Sequence, residues 1–323
     1  MSESMDSDKL KLLQKVLLAT LLEVDRICRE NDIRYFLAGG TLLGAIRHHG
    51  FIPWDDDVDV MMLREDYEKF LRVAPEELSD RLFLQRANYN PYTRVRVNGT
   101  VFASPFMARF PEIHSGIFLD IFAHDRTGSR LWSQKLHRLV TKATRSVVFN
   151  KWGATAIRGD GSHPVIRWIG SRLKDLIPMN LAIRMRDQTL VFFRNRDTGY
   201  LYDGMGQNMG RGAFPEQWLN EAISVDFEGY SLSVPKEYDA YLTWLYGDYM
   251  QLPPEGQRHP GHDTVKLDFG IYEKIIREEV RADHIFEEIS KALQMSAAAR
   301  PAGSRCDTVS TRSMGGGSSH AQA

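Results

Sequence analysis

The chain has 323 residues, 43% of them apolar, enough to bury a substantial core as one large domain or two small ones. Lys+Arg 41 against Asp+Glu 42 leaves a formal net charge of -1, so no global field draws the molecule to nucleic acid, and no nucleic-acid partner is expected. Two cysteines, Cys28 in a helical pattern and Cys306 in a polar stretch, exclude a disulfide framework or a cysteine-rich zinc site and fit a reducing compartment.

The first residues, MSESMDSDKLKLL, carry acids where a signal peptide needs positive charge, and no apolar stretch reaches the ~20 residues of a spanning helix. A cytoplasmic protein is therefore expected. Leu10, Leu13, Leu17, Leu21, Val24 and Cys28 recur at three- and four-residue spacing, which predicts one amphipathic helix over Lys9–Glu30. Arg34–Ala38 reads as a strand, Gly39-Gly40 as a tight turn, and Thr41–Arg47 as a helix that Thr41 can cap. Asp57–Met62 is a second predicted strand and Glu65–Ala74 a helix, followed by strands at Leu82–Gln85, Arg94–Val97 and Gly116–Phe122. This alternation predicts an α/β or α+β layer domain. Leu131–Arg196 is helical in pattern, with interruptions near Gly159–Pro164 and at Pro178; Ile223–Val234 is β-like and Lys236–Tyr246 helical. The polar, Gly/Ser-rich end buries too little to offset its ordering entropy and is expected to be disordered.

The chemistry concentrates in GFIPWDDDVDVMM. Side chains of a strand alternate faces, so Asp57 and Asp59 point one way while Val58 and Val60 anchor the other. Two carboxylates that close repel unless a cation or a proton intervenes, and Mg²⁺, with Mn²⁺ as a substitute, takes one or two carboxylates and completes its shell with water and phosphate oxygens. Asp55 shares their parity nearer the turn and supports them; Asp56 by parity would share the valine face, where a bare carboxylate is disfavoured, so it is expected in a distorted turn, paired with a cation or backbone N–H. Gly39, Gly40 and Thr41 place bare N–H groups at a helix N-terminus, which favours phosphate. Asp120 lies within the apolar run Gly116–Phe122 and needs a partner too, either a metal or substrate hydroxyl, or a buried Arg or Lys. Arg47 and His48 follow the glycine helix, and Arg258 and Lys266 flank two late histidines; all four are candidate donor-phosphate contacts.

The segments LAGGTLLGAIRHHGFIPWDDDVDV, GIFLDIFAHD and YLTWLYGDYMQLPPEGQRHPGHD resemble the LicD family, itself similar to the fukutin-related proteins. The resemblance spans roughly Leu10 to Lys274 and implies a nucleotidyltransferase-like fold, a mixed sheet with flanking helices and a helical insertion. It implies transfer of a phospho-alcohol, typically phosphocholine from CDP-choline, to a sugar hydroxyl of a cell-surface glycan such as lipopolysaccharide, teichoic acid or capsule, with CMP released. Carried over, the glycine turn is Gly39 and Gly40, the metal pair Asp57 and Asp59, and the third acid Asp120, as a further metal ligand or a general base. The late motif is Pro253, Pro254 and Glu255 with His259 or His262, the latter preferred. The expected layout is an N-terminal helix packed on the core (1–32), a catalytic core (33–125), a helical basic insertion (126–210), a part completing the site (211–294) and a disordered tail (295–323).

Between Arg126 and Gly159 there is no Asp or Glu, while Arg126, Arg130, Lys135, Arg138, Lys142, Arg145, Lys151 and Arg158 accumulate with Trp132 and Trp152. Such a run can lie on anionic lipid at the inner face of the membrane, where a lipid-linked glycan acceptor would be met. Two rival readings remain: a nucleotidyltransferase acting on a small molecule, which would release pyrophosphate rather than CMP, and a non-catalytic glycan- or lipid-binding scaffold. The second has no use for three aligned carboxylates that cost stability when unneutralised.

Overall fold

The computed structural model describes residues 6–87, 92–105, 107, 113–152, 165, 168–169, 172, 176–206, 211–278 and 280–298. The expected interruption at Gly159–Pro164 and most of the expected tail lie outside them. Helix α1 (Ser7–Glu30) buries every one of the six periodic apolar residues, which seats it against the sheet. The predicted strand at 34–38 shrinks to β1 (Phe36–Leu37), because the glycine helix α2 (Gly39–His48) starts two residues earlier than expected. Thr41 therefore does not cap α2; Ala38 holds the cap position, and Thr41 Oγ1 accepts from the Asp59 N–H at 2.9 Å.

Strand β2 (Asp59–Leu63) leads directly into α3 (Arg64–Glu77). That helix runs through Pro75, whose missing N–H orphans the Leu71 carbonyl; Arg86 supplies the replacement donor at 2.8 Å. There follow β3 (Leu82–Gln85), β4 (Thr93–Val97), β5 (Val101–Ala103) and β6 (Phe118–Arg126), the last reaching beyond the predicted end at Phe122. The main sheet has the order β1-β2-β6-β4-β3, with β2 and β6 parallel and the other pairs antiparallel. It is a mixed α/β sheet, as expected.

After β6 come α4 (Leu131–Trp152) and α5 (Met179–Leu190), a helix pair with its own small core around Val147, Val148 and Ala182. The chain then returns as β7 (Tyr200–Tyr202), paired with the end of β6, and β8 (Phe214–Pro215). The β-like stretch is a hairpin, β9 (Ala222–Phe227) and β10 (Tyr230–Pro235), turned by Glu228 (φ 53) and Gly229 (φ 81). Helix α6 (Tyr238–Tyr246), strand β11 (Lys266–Asp268), which pairs with β5, and helices α7 (Tyr272–Arg277) and α8 (Ile285–Ala298) follow, the last ending the described residues. Helix α8 continues past position 295, where the disordered tail was expected to begin.

Candidate active site

Sheet register builds the site. Asp59 of β2 is the cross-strand partner of Asp120 on β6, and Asp120 is in turn the partner of Arg94 on β4. Three charged side chains thus form one row across three adjacent strands. The order begins before β2: the Asp120 N–H donates to the Val58 carbonyl at 2.9 Å. Burial alternates through this run, with Asp56, Val58 and Val60 buried and Asp55, Asp57 and Asp59 half-buried. Asp57 itself precedes the strand proper, which starts at Asp59.

The glycines lie against these acids. A Cβ on Gly40 would stand 2.7 Å from Asp55 Oδ2, and one on Gly39, where φ is +51°, would stand 3.0 Å from Asp59 Oδ2. Both glycines are needed for that approach, and Gly39 for its left-handed backbone as well. Gly40→Ala is therefore expected to displace Asp55 and lower kcat by about 10²-fold while keeping a cooperative melt. Steady-state kinetics beside a thermal melt checks this, and an unchanged kcat would mean that Asp55 is not placed by Gly40.

Asp56 is fully buried and takes its partners from the far end of the sequence: the Gly261 N–H at 3.0 Å, the His262 N–H at 3.2 Å and His262 Nδ1 at 3.1 Å. His262 Nδ1 also stands 3.8 Å from Asp57 Oδ2, and its ring meets Phe102 and Phe118 edge-on. Burial disfavours the imidazolium, but the bond to Asp56 and the charges of Asp57 and Asp56 outweigh it and raise the His262 pKa. The structure thus separates the two late histidines. His259 is exposed, against the Pro260 carbonyl, whereas His262 joins the acids.

Asp120 has the buried-arginine partner. Arg94 Nε and Nη2 reach its two oxygens at 2.5 and 3.1 Å, with the guanidinium 3.9 Å from the Phe118 ring centroid. Among the described residues, the carboxylates that could share one cation are Asp55, Asp56 and Asp57, with an oxygen of each within 4.8 Å of the others, rather than a set containing Asp59 and Asp120. Burial, then the charges of Asp57 and Asp56, hold the Asp55 carboxyl well above the usual range; burial, then Asp57 and Asp120, do the same to Asp59. Asp57 is pushed up by burial against the opposing pull of His262. The pocket is short of positive charge. All-oxygen donors, mutual repulsion and a glycine cradle that a Cβ would fill suit a hard cation.

The remaining expected contacts have partners of their own. Arg47 and His48 close the far end of the ten-residue α2 from its glycines, and Arg47 donates to the Tyr249 carbonyl at 2.8 Å. Arg258 donates to the Pro253 carbonyl and lies over Trp54, which His48 also meets edge-on. Lys266 is exposed, near Asp268 at 3.9 Å. Sequence reasoning missed Arg94 and Tyr246. Arg94 alternates with Val95 in a predicted strand, but only register shows it opposite Asp120; Tyr246 places its hydroxyl 3.9 Å from the Cβ position of Gly39.

The glycines and acids lie within the stretch over which a family comparison matches the chain. A family model described as "LicD/FKTN/FKRP, nucleotidyltransferase domain" matches residues 32–152. Lipopolysaccharide cholinephosphotransferase LicD of Haemophilus influenzae is 30% identical over 243 residues, which cover 73% of this chain and 89% of that protein. This chain belongs to the LicD family. It is a phosphotransferase enzyme of that family. Ribitol 5-phosphate transferase FKRP of Homo sapiens, like that of Mus musculus, is 59% identical over 34 residues, 10% of this chain and 7% of that one. The LicD-family model takes in the glycines, all the clustered acids, Asp120 and Arg94, whereas His262 lies beyond its range.

Proposed function

We propose that this LicD-family enzyme transfers a phospho-alcohol, phosphocholine from CDP-choline in the first instance, to a sugar hydroxyl of a cell-surface glycan, with CMP as leaving group. The observation that carries the reading is the row Asp59–Asp120–Arg94 with Gly39 and Gly40 closed over the acids. The name of the Haemophilus relative, a lipopolysaccharide cholinephosphotransferase, supports the choline and the lipopolysaccharide, and that of FKRP, a ribitol 5-phosphate transferase, a second phospho-alcohol. A soluble nucleotide conjugate as donor fits a reaction in the cytoplasm.

Asp57 and Asp59 would hold Mg²⁺, which when bound offsets the charge of the donor diphosphate. Gly39 and Gly40 leave room for the donor beside the acids, and Arg94, the cation in the row, meets phosphate charge as it builds. The acceptor oxygen forms a bond to the phosphorus that carries the alcohol, the bond from that phosphorus to the CMP oxygen breaks, and Asp120 takes the hydroxyl proton once Arg94 has turned to phosphate. His262 holds Asp56 and Asp57 in place. A thermal-shift panel of CDP-choline, CDP-ribitol, CDP-glycerol and nucleoside triphosphates, with and without Mg²⁺, tests this. One CDP-alcohol is expected to stabilise selectively, by about 2.7 kcal/mol at 100 times its Kd. Stabilisation by a nucleoside triphosphate alone, with pyrophosphate released, would replace the reading with nucleotidyl transfer.

A further inference from the structure

Helix α4 is inside out along its first three turns. The side chains it packs against the domain are polar: His137, bonded to Thr127 Oγ1 at 2.9 Å and the Thr189 carbonyl at 2.7 Å, and Thr141, bonded back to the His137 carbonyl. The side chains turned to solvent are Trp132, Leu136, Leu139 and Val140, at 63%, 53%, 51% and 41% exposure. Their spacing places all four on one stripe, where a helix of a soluble domain carries its polar residues. Only further on does the helix turn apolar side chains inward, with Val147 and Val148 meeting Ala182. Trp168 and Leu176, in the chain that follows, are equally open at 60% and 77%.

Charge selects what covers the stripe. Lys135 and Lys142 border it along one flank, Arg130 stands exposed just before it, and no acid occurs from Arg126 to Gly159. Two cations of that run are used inside the molecule instead: Arg126 pairs with Glu216 at 2.7 Å, and Arg145 lies over Phe149. A second copy would bring this basic flank against another of the same sign. No helix among the described residues is long and apolar enough to cross a bilayer, so α4 can rest on a membrane but not traverse one.

We propose that this face of α4 seats on an anionic lipid surface, with Trp132, Leu136, Leu139 and Val140 entering the head-group boundary and Arg130, Lys135 and Lys142 meeting lipid phosphates. The inference is independent of the transfer reaction, and its test needs no turnover. The full chain is co-sedimented with vesicles of phosphatidylcholine alone or containing phosphatidylglycerol, at low and high salt. Binding to the anionic vesicles is expected to exceed binding to neutral ones by about tenfold or more and to weaken with salt. K135E/K142E should lose that preference, and L136E/L139E should lose binding to both vesicles while melting with wild type, since neither leucine belongs to a core cluster of the described residues. Wild type that binds anionic vesicles no better than K135E/K142E would overturn the proposal. So would a solution dimer that L136E/L139E dissociates, which would assign the face to a second copy.

Discussion

Asp57→Asn and Asp59→Asn are each expected to abolish turnover and to leave the fold standing. Asparagine keeps the size and polarity of these half-buried side chains, and Val58 and Val60, which anchor the run in the core, are untouched. What is lost is carboxylate charge at the point where the glycine helix closes on the sheet. Metal-assisted charge stabilisation is worth several kcal/mol, so each variant is expected to fall by about 10² to 10⁴ in kcat. In chelator, both should melt at or above the wild-type temperature, because burial and neighbouring acids already push these carboxyls towards protonation. Activity above about a tenth of wild type in both variants would remove the metal pair from the mechanism.

Arg94→Met is expected to be costly in the opposite sense, to stability. Its guanidinium and the Asp120 carboxylate leave only 11% and 6% of their side chains exposed, so removing the cation strands a buried carboxylate beside Asp59. Breaking one side of a buried pair costs about 3–5 kcal/mol. Urea unfolding should show a loss of that order, and adding Asp120→Leu should recover most of it, since an apolar pair of similar volume can be as stable as the ionic one. A single variant as stable as wild type would mean that the pair forms no part of the sheet's support.

Much of the site was legible because it is local. The period-two alternation of Asp57-Val58-Asp59-Val60 needs no tertiary knowledge, and the need of Asp56 for a cation or backbone N–H was legible from its parity, whereas its full burial was not. What could not be read is register. Arg94 and Asp120 are 26 residues apart, and only the antiparallel pairing of β4 with β6 sets them opposite. Thr41 misled for a related reason: it is a good helix cap, but the cross-strand N–H of Asp59 claims its hydroxyl, and two glycines can form a first helical turn where their neighbours leave no room for a Cβ. Arg47 stands at the opposite end of the ten-residue α2 from the glycines, a separation along the helix on the order of 10 Å that its sequence spacing to Asp57 does not express. In α4 the apolar spacing is plain, but periodicity says that a helix has an apolar face, not that the face is buried.

The bonds that Asp56 accepts from Gly261 and His262 span 205 and 206 residues. During translation the acidic strand therefore leaves the ribosome long before the groups that satisfy its innermost carboxylate. At about 5–20 residues per second that interval is roughly 10–40 s. Over that time the nascent enzyme carries an uncompensated acid where its core must close, so the centre can mature only after the chain has grown past His262. A chain that ends before Gly261 lacks the backbone donors that its innermost carboxylate accepts from in the finished fold.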